Sequence, residues 1–383
     1  MKIFLLVVFL LFCVPIFAQE LHVKVVNPAP FDRPTETIEL QWSEVQKALN
    51  SPDLAFVHVF ENEQQLLTQV IDVDGDGTPD ILVFQSAFKQ GEEKQFIVKK
   101  TNDTQESKPI AVAMFMVPRE DVAWENDRIA YRIYGSALAG DVRSGVDVLT
   151  KRVRYPVLAG WYAGDTLKGK KRISYHVDHG EGADYFDVKK SLGGGGSALW
   201  EQGTMIESGL FTSNKIIASG PIRAMFQVKY ERDTLNGKPF TEIKTYTLDA
   251  GENLNKIEVS YSGLEDQGAE KVALGLVKRA NVTFASDEKQ GWFSLWGLAN
   301  EDSAKGYIGT GVVVAPSSYS ETKDTLDHFL MIANTSADKK LTYYGGGGWS
   351  KSGDFASGED WKKYLSNFSQ RLLYPLKVTL GEN

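Results

Sequence analysis

Three successive segments, RAMFQVKYE, TEIKTYTLD and NKIEVSYSG, alternate apolar and polar side chains with a period of two. Only a strand places such residues on opposite faces, and the joining stretches LNGKP and DAGEN carry turn chemistry, so residues 223–263 read as an antiparallel meander. Similar short alternations recur along most of the chain. The exceptions are few. WKKYLSNFSQRLL places Trp361, Tyr364, Leu365, Phe368 and Leu372 on one helical face, with capping-box spacing between Ser357 and Asp360 and Pro375 as a stop. SEVQKALN, residues 43–50, predicts a shorter helix.

The expected fold is therefore mainly β. Residues 19–108 hold enough short strands for a small immunoglobulin-like sandwich, and the polar stretch KKTNDTQESKP marks its end. Residues 109–383 are too long for a simple sandwich and too strand-rich for an α/β enzyme, which leaves a large two-sheet β-sandwich with a C-terminal helix.

The first 18 residues, Met-Lys followed by an apolar run ending at Ala18, read as a secretory signal peptide, too short for a transmembrane segment. A periplasmic location is the expectation. The single cysteine, Cys13, lies inside this leader, so the mature chain has no thiol for disulfides, thiolate catalysis or cysteine-based zinc sites. A formal net charge of -8 argues against nucleic acid as a general partner. Between 143 and 172, however, Arg143, Lys151, Arg152, Arg154, Lys168, Lys170, Lys171 and Arg172 face only Asp147 and Asp165. That local basic field suits a small anionic ligand.

DVDGDGTPD sets Asp72, Asp74, Asp76 and Asp80 at positions one, three, five and nine of a calcium-type loop, with Gly77 at six and the carbonyl of Thr78 at seven. Position twelve is Val83 rather than glutamate, and the flanks read as strands, so the expectation is a β-hairpin clasped by structural Ca2+.

Chemistry concentrates in two stretches. WENDRIAYRIYG contains Arg128 and Arg132, which on a strand share one face and suit a carboxylate. SYHVDHGEGADYF holds His176 and His179, with Tyr175, Tyr185, Asp178 and Glu181 around them. In an extended chain the two histidines face opposite ways, so they converge only if the strand ends near Asp178. Acid/base chemistry and a Zn2+ site of two histidines and one acid are both open. The glycine runs SLGGGGSALW and YYGGGGWSKSGDF lack the Lys-Ser/Thr of a phosphate loop, so no nucleotide cofactor is expected. Either they let Trp200, Tyr344 and Trp349 present ring faces to a sugar, or they mark bends in a curved sheet.

Together, WENDRIAYRIYG, KRVRYPV, YHVDHGEG, LGGGGSALW, SGPIRAMFQVKY and YYGGGGWSKSGDF resemble the bacterial family catalogued as Domain of Unknown Function 4861. The resemblance implies a secreted protein of polysaccharide utilisation with a galactose-mutarotase-like β-supersandwich. It further implies, for some members, dehydration of ulvan-type oligosaccharides to a 4,5-unsaturated uronate at the non-reducing end. For this chain that reading makes His176, His179, Tyr175 and Tyr185 proton-transfer candidates, with Glu181 or Asp178 orienting a histidine. Arg128, Arg132 and Arg154 become the carboxylate clamp for an anionic oligosaccharide, and Trp349 a sugar platform. A polysaccharide lyase, a sugar epimerase on the same scaffold and a non-catalytic glycan-binding protein are the alternatives. The sequence is silent on oligomeric state.

Overall fold

Strands dominate the computed structural model, which describes residues 19–50, 56–117, 119–235, 237–264 and 271–381. The chain is mainly β, arranged in antiparallel sheets. The meander expected from the alternating segments is present as strands Arg223–Leu235, Lys238–Asp249 and Leu254–Ser262, paired in that order within an eight-stranded sheet. The leader reading falls on residues 1–18, outside the described residues. Among the described residues no helix is long and apolar enough to cross a membrane.

The N-terminal part is a sandwich of a five-stranded and a three-stranded sheet. Leu21, Val23, Val25, Leu82, Phe84, Phe96 and Val98 fill its core, with helix α1 (Trp42–Leu49) packed against it. A left-handed Asn50 at φ 43° ends α1. The last strand, Lys377–Gly381, pairs with Glu20–Val26. A division at residue 108 therefore leaves an exception, since the C-terminus crosses back to complete the small sandwich.

The larger part layers two five-stranded sheets against the eight-stranded one. Its core runs through Trp124, Tyr131, Val148, Phe226, Tyr246, Leu274, Phe293 and Tyr343. The two glycine runs meet at this seam. A Cβ at Gly195, where φ is 115°, would stand 3.0 Å from the Cα of Gly345, so side chains there would force the sheets apart. Close sheet packing is thus what the runs supply. Helix α3 (Gly358–Leu373) starts where expected, with the Ser357 hydroxyl accepting from Asp360 N, and lays Trp361 and Leu365 over Gly309 and Gly311.

One five-stranded sheet positions the chemistry. Its strands Asp121–Glu125, Ala130–Ile133, Asp147–Lys151 and, at the edge, Gly182–Asp184 pair in the register Ala123↔Arg132↔Asp147 and Leu149↔Asp184. The alternate residues Val122, Trp124, Tyr131, Val148 and Ala183 face the main core. Asp121, Glu125, Arg132, Asp147, Lys151 and Asp184 therefore share the opposite face. Helix α2 (Leu158–Thr166) covers it, burying Leu158, Trp161, Tyr162 and Asp165 at helical spacing. The start of α2 is fixed from the sheet, because the Glu125 carboxylate accepts from Val157 N and Leu158 N at 2.8 Å while Lys151 Nζ donates to it at 2.7 Å.

Candidate active site

Six ionisable groups on a strand face demand partners when a helix covers them, and here they find one another. Arg132 is the hub. Its Nε and Nη2 donate to Asp147 Oδ2 at 3.0 and 2.6 Å, Nη2 also to Asp184 Oδ2 at 2.8 Å, and Nη1 to the Tyr175 hydroxyl at 2.8 Å. Tyr134 donates to Asp147 at 2.7 Å and Tyr162 to Asp121 at 3.0 Å. One guanidinium thus serves two buried carboxylates and lies 3.9 Å from a third, Asp121.

That imbalance sets protonation. Burial, reinforced by the like charge of Asp147, pushes Asp184 up to about 8 despite its bond to Arg132. Burial likewise raises Asp121 to about 6 against the pull of Arg132. His176 sits beside Asp184, with Nδ1 3.4 Å from Oδ2. Burial and then Arg132 lower its pKa below the ordinary imidazole value, opposite in direction to the shift of the adjacent carboxyl.

Arg132, Tyr134, His176, Asp184, Tyr185, Lys189 and Asn300 line one open cavity of about 390 Å³. A cavity of similar volume between α1 and the first and last strands has Glu20, Glu44 and Lys47 as its charged lining and no comparable cluster. Of these two, the first brings a histidine and a buried carboxyl together on one cavity wall.

A family model described as a domain of unknown function, DUF4861, matches residues 25–378. The chain belongs to the DUF4861 family. A relative, the uncharacterized protein P7 of Formosa agariphila, is 32% identical over 377 residues, covering 94% of this chain and 93% of the relative. Among solved structures, a protein in glycosyl hydrolase family 38 from Enterococcus faecalis aligns with a TM-score of 0.44 and 10% identity, over 95% of this chain and 47% of that one. An alpha-mannosidase from Enterococcus faecalis V583 aligns with a TM-score of 0.38, 10% identity and coverages of 95% and 46%. This DUF4861 chain spans about half the length of those solved proteins, and likenesses of that score say nothing about its activity.

Several expectations need correction. The histidine stretch is not extended: Val177 N bonds Ser174 O, and Asp178 Oδ1 accepts from Gly180 N and Gly182 N, so the chain turns twice before the short strand at 182. Both histidines are exposed, but His176 lines the cavity and His179 lies outside its lining. Among the described residues the only cluster of three or more His, Asp or Glu ligand atoms is elsewhere, so His176, His179 and an acid do not form the zinc-type set. Glu181 orients no histidine; its carboxylate accepts from Trp161 Nε1 and the Tyr155 hydroxyl. Asp178 pairs with Arg152. Tyr175 is buried and its hydroxyl accepts from Arg132, while Tyr185 remains on the cavity wall and accepts from Asp178 N at 3.2 Å.

The clamp fares differently. Arg128 lies in the turn before its strand, and both it and Arg154 are tied to Asp354, at 2.6 and 2.9 Å. Arg132 faces the cavity but is neutralised by its own carboxylates. The basic field is mostly paired as well: Lys151 with Glu125, Arg143 with Glu207 and Arg172 with Asp165. Trp349 is fully buried, its Nε1 donating to Lys305 O, and offers no ring face to a sugar.

The acidic loop joins strands Thr68–Ile71 and Ile81–Phe88, which pair as a hairpin. Asp72, Asp74 and Asp80 offer carboxylate oxygens all within 4.8 Å of one another; Asp76 and Thr78 stand outside that group. Gly75 N and Gly77 N donate to Asp72, and the Gly77 bond leads in holding its carboxyl below the usual range. Three hard oxygen donors so gathered fit one Ca2+ ion, whose ligand distances are about 2.3–2.6 Å.

Proposed function

We propose that this DUF4861 protein eliminates water from the non-reducing-end uronate of an oligosaccharide, giving a 4,5-unsaturated sugar without cutting the chain. The observation that carries the reading is geometric: His176 Nδ1 and Asp184 Oδ2 stand 3.4 Å apart on the wall of one cavity, where burial lowers the imidazole's pKa and raises the carboxyl's. Two groups whose environments push their pKa values apart take opposite roles. Because Arg132 donates to Asp184 Oδ2, that oxygen is the acceptor of the group and can take Nδ1–H, the tautomer that leaves Nε2 free as a base.

The proton at C5 of a uronate is acidified by the adjacent carboxylate. His176 takes it, the C4–O bond breaks as the C4–C5 double bond forms, and Asp184 protonates the departing hydroxyl, so one water leaves and the sugar count is unchanged. Asn300 and Lys189, the latter 3.3 Å from Asp187, line the same cavity and are the candidates to receive the substrate carboxylate as charge develops on it. Tyr185 closes the wall beside them. Arg132, Asp147 and Tyr175 position Asp184 rather than touch substrate. Ca2+ belongs to the same proposal as a structural ion at Asp72, Asp74 and Asp80.

The test uses saturated uronate-ended oligosaccharides and follows the ultraviolet band of the conjugated enol ether. The wild type should produce it, and His176→Ala and Asp184→Asn should each slow its appearance by about 10²–10⁴-fold while remaining folded. Full activity in either folded variant would remove that residue from the mechanism.

A further inference from the structure

Next to the acid/base cavity lies a smaller depression of about 160 Å³, and Tyr185, Asp187, Lys189 and Asn300 line both. A chain seated in one runs directly into the other. What distinguishes the smaller depression is Arg279, just past the strand Lys271–Val277. Its Nη1 donates to Leu298 O and its Nη2 to Ile308 O, both at 3.0 Å, and its guanidinium stands 5.1 Å from the centre of the Phe186 ring. Its Nε is enclosed without an acceptor.

The other arginines near the cavity are matched to carboxylates, Arg132 to Asp147 and Asp184, Arg152 to Asp178, Arg128 and Arg154 to Asp354. Arg279 has no carboxylate partner among the described residues. Its neighbour Lys278 is committed to Asp324 and Thr325 O, so Arg279 is the free positive charge of this wall. An arginine carries five N–H donors in a planar fork shaped for two oxygens of an anion, and two carbonyls do not exhaust them. Withdrawing such a group from water with no counter-charge is costly, and burial alone lowers its pKa to about 10. An anion docked on the wall offsets that cost.

We infer that the Arg279 depression is an oxyanion subsite, taking a sulfate ester or a second carboxylate on the sugar next to the one in the acid/base cavity. The identity of the chain that carries this anion rests on the reaction proposed above; the anion site itself does not.

The protein is titrated with sodium sulfate and separately with sodium acetate, chloride holding ionic strength constant, and binding is read as titration heat and as a shift in Tm. Saturable binding is expected, weakened tenfold or more in Arg279→Gln. Ala280→Glu alters an exposed residue of the same depression and leaves Arg279 in place, so it keeps the test open should the first variant fail to fold. Its introduced carboxylate should also weaken binding tenfold or more. Preference for sulfate over acetate assigns a sulfate ester, and the reverse a carboxylate. Absence of saturable binding to the wild type overturns the inference, as does unchanged binding in a folded Arg279→Gln variant. Because no elimination is needed for the readout, Arg279-dependent binding by a protein that leaves uronates intact would keep the subsite and discard the reaction.

Discussion

Asp147→Asn isolates what raises the Asp184 carboxyl. The two carboxylate oxygens accept from the same Arg132 nitrogen at 2.6 and 2.8 Å, so the sum of those lengths caps their separation at about 5.4 Å. With an effective dielectric constant of about 20, unit charges at that separation repel by about 3 kcal/mol, or roughly two pKa units. Removing the Asp147 charge also leaves Arg132 to Asp184 and the more distant Asp121, which acts in the same direction. The Asp184 carboxyl should therefore fall from about 8 to about 6 or below. Carbon-13 spectra of protein labelled at aspartate carboxyls, with Asp184→Asn used to assign the resonance, would show that fall directly. In the elimination assay the alkaline limb of the rate profile should move down by the same interval, since the acid loses its proton earlier. An Asp184 resonance that titrates at the same pH in both proteins would refute the charge-sharing argument.

Four other outcomes follow from the same contacts. Asp184's folded pKa lies above the unfolded aspartate value of about 3.9. Stability from its protonated form is thus complete below about pH 4 and lost as pH rises through about 8, so wild-type Tm should drop between about pH 4 and 8 more steeply than that of Asp184→Asn. Lys151→Met strands the fully buried Glu125 carboxylate and should cost about 3–5 kcal/mol in a denaturant titration; a loss near zero would mean Glu125 takes up a proton freely. His179→Ala should retain elimination activity while His176→Ala loses it, because only His176 lines the cavity. A calcium chelator should lower Tm, and Asp72→Ala should abolish that sensitivity; a Tm indifferent to chelator would contradict Ca2+ binding at the hairpin.

Legibility in the sequence followed periodicity. Strand alternation located the meander, the capping pair Ser357 and Asp360 located α3, and the aspartate spacing located the hairpin. The α2 helix escaped because Asp165 occupies one position of its buried face and Gly160 and Gly164 interrupt it, while its start is capped by Glu125 from a distant strand. In the site, His176 is visible as a residue type, but nothing local in the same stretch singles out Asp184. Asp147 stands in the sequence only as one of two acids in a basic field. Their importance comes from register, since only the pairing Arg132↔Asp147 and Leu149↔Asp184 stacks three charged strands on one covered face. One available signal was alternation itself: Asp147 lies between Val146 and Val148, so it must point away from the core they face. The arginine clamp failed for the complementary reason. Asp354, some 200 residues along the chain from Arg154, holds both Arg128 and Arg154, and nothing local announces it.

The central claim is elimination of water by the His176 and Asp184 pair. Its most direct measurement is the mass of the product formed from a saturated uronate-ended oligosaccharide. The expected product is a single species lighter by one water, with every sugar retained, and none forms with Asp184→Asn. A shortened unsaturated chain, or a substrate recovered unchanged after incubation with the wild type, would contradict it.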